Sequence, residues 1–210
     1  MKTNKDFSNF LFEIVDPATL IPGTYFCDKE TKIGSRKSCY LMGTLGQTVT
    51  KDLLDYCYKK YYNDIAKAEF EKITKNWVSE KRQAFDCEGV LDCFAGVDIN
   101  ANMCYKYNCS LKDSDALAAI RANASAYRGA AFFKVNGLGK IHHVGFLAGI
   151  ADNGDYLIIE AKGLRYGVIM SRYNLKDWQL CGIPDKLLSF DDKKKLQLII
   201  DGKIIFDDFI

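Results

Sequence analysis

The feature that most constrains the fold is a change of periodicity at Gly129. Before it, apolar residues recur at three- and four-residue spacing. After it come four apolar runs, "AAFFKV" (130–135), "IHHVGFLAGI" (141–150), "DYLIIEA" (155–161) and "YGVIMS" (166–171), separated by "NGLGK", "ADNGD" and "KGLR". Short connections built on Asn-Gly and other glycines are the turns of antiparallel hairpins. Helices first and a meander after predict an α+β fold, with N-terminal helices packed on one face of a central antiparallel sheet.

The helical part is read in the same way. Leu53, Leu54, Cys57, Tyr58 and Tyr61 define one stripe, and Ile65, Phe70, Ile73 and Trp77 continue it less regularly after a break near Asn63. A helix beginning near Cys87 is expected to bury Val90, Leu91 and Phe94. Another, capped by Asp113 or Ser114, carries Leu117, Ile120 and Ala124 on one stripe. Residues 98 to 112 read as an irregular loop, and "CYLMGTLGQ" (39–47) as a structured loop near a helix start. "KLQLIIDGKIIFDDFI" (195–210) reads as a further hairpin around Asp201-Gly202.

Composition removes several classes of function. Lys and Arg total 29 against 27 for Asp and Glu, and the one basic run, Lys193 to Lys195, is flanked by acids, which gives a nucleic-acid interface little support. No apolar run approaches the roughly 20 residues that cross a bilayer, and acids interrupt the apolar N-terminal stretch, so neither a membrane span nor a signal peptide is expected. Eight cysteines then read as reduced thiols of a cytoplasmic chain. Were the protein exported by another route, Cys27 with Cys39 and Cys104 with Cys109 are the nearest pairs. The spacings lack any C-x-x-C and no histidine lies close to a cysteine, which argues against a metal site.

Three residues could carry chemistry together. Only two histidines exist, His142 and His143. Neighbours on a strand face opposite ways, and His143 shares its side with Gly145, a residue that leaves room beside it. In "QAFDCEGVLDCFAG" (83–96), Cys87 stands where a polar stretch becomes an apolar helical one. A thiol in a helix's first turn meets the positive end of the dipole and unpaired N–H groups, which lower its pKa. Glu160, ending the strand after that of His143, could orient the imidazole. Cys93 reads as packing.

These residues resemble the NlpC-type cell-wall peptidases, a family of the papain-like superfamily, and its phage and clostridial branch in particular. "FDCEGVLDCF" is similar to the family's "DCSGLV" nucleophile motif. "HHVGF" with "LIIEAKG" is similar to its H-V-G-I strand followed by a strand bearing the orienting residue. "CYLMGTLGQ" resembles its upstream "YVWGG" segment. The resemblance implies a papain-like fold with a catalytic domain over 38–183, an N-terminal extension (1–37) and a C-terminal hairpin extension (184–210).

It also implies Cys87 as nucleophile, His143 as general base and acid, Glu160 as orienter and Tyr40 near the oxyanion. Asp86, Glu88 and Gly89 would line the substrate site, Asp86 binding substrate or fixing the helix start. Glu88, where the family has serine, would place a charge beside the channel. The expected activity is hydrolysis of an amide in peptidoglycan stem peptides by a monomer needing no metal or cofactor. The setting is a phage lysin released to the wall, or an enzyme acting on wall fragments in the cytoplasm. An acyltransferase, transglutaminase or deamidase would use the same thioester. A domain that only binds, with Cys87 inert, is the third reading.

Overall fold

The computed structural model describes residues 2–174 and 176–190. The hairpin expected over 195–210 lies outside them.

The chain opens with α1 (Asn4–Ile14), capped by the Thr3 side chain, which accepts from the Asp6 N–H. The short strand β1 (Gly23–Tyr25) follows. Strands β2 (Ser38–Tyr40) and β3 (Leu45–Thr48) occupy the segment expected as a loop, and with β4 (Gln83–Phe85) they form a small sheet in the order β2-β4-β3. Between β3 and β4 stand α2 (Lys51–Tyr61) and α3 (Lys67–Thr74), two helices with the break near Asn63 that the periodicity predicts. The chain then enters α4 (Gly89–Ala95), a short helix closed by Gly96 at φ 75°, the left-handed conformation that glycine adopts without strain.

Residues 98 to 112 are not wholly irregular, because α5 (Ala101–Met103) and a π-helical turn (Cys104–Asn108) lie among them, with Cys104 and Cys109 buried. The next helix, α6 (Asp113–Ala122), has Lys112 at its N-cap and no side-chain cap. Asp113 instead accepts from the Tyr105 hydroxyl at 2.6 Å, and Ala116, Ala119 and Ile120 form the buried face.

The four predicted strands are present as β5 (Ala131–Val135), β6 (Ile141–Ala151), β7 (Tyr156–Gly163) and β8 (Gly167–Arg172). All their pairings are antiparallel, and β9 (Leu180–Gly182) extends the sheet at β5, giving the order β8-β7-β6-β5-β9, with β1 paired to the far end of β6. The protein is therefore α+β.

Two apolar clusters hold these parts together. The larger joins the sheet to α1, α4 and α6: Phe7 meets Phe94 and Phe146, and Phe10 packs edge-on against Phe85. Residues 1–37 thus supply α1 and β1 to the same core as the sheet. The smaller cluster gathers Cys57, Phe70 and Trp77 from the α2–α3 region against Cys39, Leu41 and Ala84 of the small sheet. All eight cysteines are free thiols. No helix among the described residues is long and apolar enough to cross a membrane.

Candidate active site

The site lies where the small sheet and α4 meet β6 and β7. Cys87 does not sit in the first turn of a helix. It precedes Glu88, the N-cap residue of α4, in the turn between β4 and α4. That turn is fixed by Asp86, whose Oδ1 accepts from the Gly89 N–H at 2.7 Å and whose Oδ2 accepts from the Gly43 N–H at 2.8 Å. Of the two roles expected for Asp86, fixing the helix start is the one its hydrogen bonds serve. One carboxylate joins the nucleophile turn to the loop after Tyr40, and the Asp86 N–H donates to Thr44 O at 3.0 Å in the same junction.

Gly89 is needed there for close approach. A Cβ on it would stand 2.0 Å from the Thr44 carbonyl oxygen, a backbone atom that cannot move aside. It is buried, and packs the junction rather than lining a channel.

Glu88 departs from expectation in the same way. It is 3% exposed, so it does not line a substrate channel, and among the described residues its buried carboxylate oxygens have only the Cys104 thiol as a weak neighbouring donor. Burial, then the charge of Asp92 one turn on, push the Glu88 carboxyl well above the usual carboxylate range. Burial pushes Asp92 to about 7. Uncompensated carboxylates in an apolar interior take up a proton rather than remain charged.

The same surroundings reverse the expectation for Cys87. Burial first, then the charges of Asp86 and Glu88, push its thiol up to about 12, against the smaller opposing effect of the Val144 and Glu88 N–H groups. A seven-residue helix that starts two residues later does not offset two adjacent acids and desolvation. Tyr40 is buried beside this thiol, and burial, then the Cys87 charge, raise its hydroxyl above the ordinary 10.0.

His143 and Glu160 meet as the sequence suggests. The His143 Nε2 lies 2.7 Å from Glu160 Oε2, with side-chain exposures of 12% and 1%. With Nε2–H as the donor to Glu160, Nδ1 is the ring nitrogen available to accept a proton. Glu160 has two further partners: Lys134 Nζ at 3.0 Å on Oε2 and Ser171 Oγ at 2.7 Å on Oε1. Burial alone would raise this carboxyl. The His143 hydrogen bond, the His143 and Lys134 charges and the Ser171 hydroxyl outweigh it and hold Glu160 at about 2.

The room beside Gly145 is filled. A Cβ at Gly145 would stand 2.6 Å from Ile158 Cγ2, 2.7 Å from Trp178 Cη2 and 3.1 Å from Glu160 Cβ. Trp178, 2% exposed, lays its ring against His143 with centroids 5.8 Å apart, and the Lys134 ammonium stands 4.1 Å from its ring centroid, a cation–π contact.

Lys134, Ser171 and Trp178 were not among the residues the sequence suggested. For Lys134 the simple register misleads. Symmetric pairing across the 136–140 turn sets Val135 against Ile141 and Lys134 against His142, whereas a bulge slips the register so that Lys134 faces His143. His142 is left exposed.

Two groups are thus assembled, Tyr40–Asp86–Cys87 and His143–Glu160–Lys134. They touch through the backbone, because the Cys87 thiol faces the N–H of Val144, the residue after His143. The thiol's described hydrogen-bond partners do not include the imidazole. Fold and site together define an α+β protein with a cysteine at a strand-to-helix turn, near a half-buried histidine paired with a buried glutamate. No family model, curated protein or solved structure matches the chain.

Proposed function

We propose that the chain is a papain-like cysteine peptidase or amidase of the NlpC type, hydrolysing an amide bond in peptidoglycan stem peptides, as a phage lysin or a cellular wall hydrolase does. The observation that carries the reading is the 2.7 Å contact of His143 with an ionised Glu160, one residue from the N–H that faces the Cys87 thiol. The imidazole is largely withdrawn from solvent and held through Nε2 by a carboxylate, the arrangement that orients a general base toward a nucleophile.

In this reading the resting thiol is neutral, as its surroundings dictate. Catalytic hydrogen bonds are often long in the empty site and tighten when substrate binds. On binding, His143 Nδ1 takes the Cys87 proton as Sγ attacks the amide carbonyl. The new oxyanion is held by the Cys87 N–H and the Tyr40 hydroxyl. The imidazolium, stabilised by Glu160, gives the proton to the leaving amine. Water then attacks the thioester, His143 accepting its proton, and a carboxylate leaves as the thiol re-forms.

Glu88 is buried and does not put a charge beside a substrate channel, so hydrolysis is preferred to acyl transfer. The test is mass spectrometry of defined muropeptides after incubation with wild type and Cys87→Ala, with and without an added primary amine. New amino termini released by wild type alone support the reading. Transfer to the amine without hydrolysis, or cleavage that survives Cys87→Ala, overturns it.

A further inference from the structure

We propose that Lys134 is a positioning residue of this site: by sharing Glu160 Oε2 with His143, it supplies the carboxylate's counter-ion and leaves the imidazole neutral to take the Cys87 proton. The inference rests on the hydrolase reading for its chemistry, but its geometry stands alone. Glu160 is 1% exposed at its side chain and must keep a positive partner to stay ionised. Two are in reach, Lys134 at 3.0 Å and His143 at 2.7 Å, on the same oxygen.

Were Lys134 absent, the buried carboxylate would draw a proton onto His143, and a protonated imidazole cannot act as a base. With Lys134 present, the Glu160–Lys134 pair is already neutral. A further proton on His143 then puts net positive charge into a poorly solvated place.

Everything packed around the imidazole fits this division. From β5 comes Lys134, directly opposite His143 in register. From β7 comes Glu160. The β8 hydroxyl of Ser171 occupies the other carboxylate oxygen and so leaves Oε2 to Lys134 and His143. The Trp178 ring contacts both His143 and the Lys134 ammonium, holding the lysine by its face while adding no charge. On the side of the small sheet the neighbours are the Cys87 thiol at the Val144 N–H, with Asp86 and Glu88 beside it.

The experiment is an NMR titration of the histidine rings in the full chain, comparing wild type, Lys134→Gln and Lys134→Arg. Only two histidines exist, and the exposed His142 serves as internal control, assigned through His142→Asn. Gln keeps a donor toward Glu160 but not the charge. Arg keeps the charge. The His143 midpoint is expected about one pH unit or more higher in Lys134→Gln than in wild type. Lys134→Arg should stay close to wild type, and His142 should not move.

If the chain hydrolyses muropeptides, kcat of Lys134→Gln at pH 7 falls at least several-fold with KM little changed, and recovers as pH is raised. A His143 midpoint that is the same in Lys134→Gln and wild type, or that shifts equally in Lys134→Arg, overturns the role of Lys134. A shifted midpoint in a wild type that cleaves no muropeptide overturns the hydrolase reading instead.

Discussion

Gly145 shows how much depends on one missing methyl group. A Cβ there would meet Trp178, Ile158 and Glu160, of which Trp178 and Glu160 hold the His143 ring. In Gly145→Ala the backbone is not in the left-handed region, so the cost is steric: Trp178 has to move within a packed core. We expect a loss of about 1–3 kcal/mol in chemical denaturation, together with activity loss beyond the unfolded fraction as the ring shifts from His143.

Glu160 makes a second residue-scale prediction. Its pKa falls from the ordinary 4.5 to about 2, so its ion pairs stabilise the fold above pH 4.5, and that stability is lost as pH falls through about 2. At most about 3 kcal/mol is at stake. Thermal melts between pH 5 and 2 should show a steeper loss for wild type than for Glu160→Gln. Equal slopes would mean that the carboxylate is not held by its partners.

At the scale of elements, α4 and its N-cap carry two buried acids, Asp92 and Glu88, one turn apart, with Asp92 Oδ1 and both Glu88 oxygens lacking a hydrogen bond among the described residues beyond the weak Cys104 thiol at Glu88. Both groups are raised above their ordinary values, so the folded state holds protons that the unfolded chain has released. The sign is opposite to that of Glu160. Stability is greatest below the ordinary 4.5 of Glu88 and falls as pH rises toward its folded value, by up to about 1.4 kcal/mol per pH unit for each proton. Glu88→Gln should flatten this decline in urea midpoints measured from pH 5 to 9. A wild-type midpoint that rises over that interval would contradict the buried, protonated carboxyl.

Element length also explains what the sequence made legible. The meander of β5 to β8 was readable because its strands run five to eleven residues between Gly-rich turns. Strands β1, β2, β4 and β9 have three residues each, too few to show alternation. The pairing of His143 with Glu160 could be anticipated from consecutive strands. Lys134 was hidden by a bulge, Trp178 by an irregular segment before β9, and the rise of the Cys87 thiol by burial, which a sequence does not report.

At the scale of the molecule, the site joins two bodies that the sequence presents separately. The small sheet, with Asp86 tying its loop to α4, delivers Cys87 and Tyr40. The large sheet delivers His143, Glu160 and Lys134. In the proposed reading neither half has the chemistry alone, and the packing of β2 against β7, with the Cys87 thiol at the Val144 N–H, is what would bring the two together.

The claim that these halves act as one catalytic unit is tested most directly by acid-quenched mass spectrometry of the intact protein mixed with a muropeptide substrate, followed by peptide mapping. The account predicts an acyl adduct on Cys87 in wild type and none in Cys87→Ala. It further predicts that His143→Ala forms the adduct far more slowly. Hydrolysis that proceeds at full rate in Cys87→Ala, or an adduct that forms equally fast without His143, would contradict it.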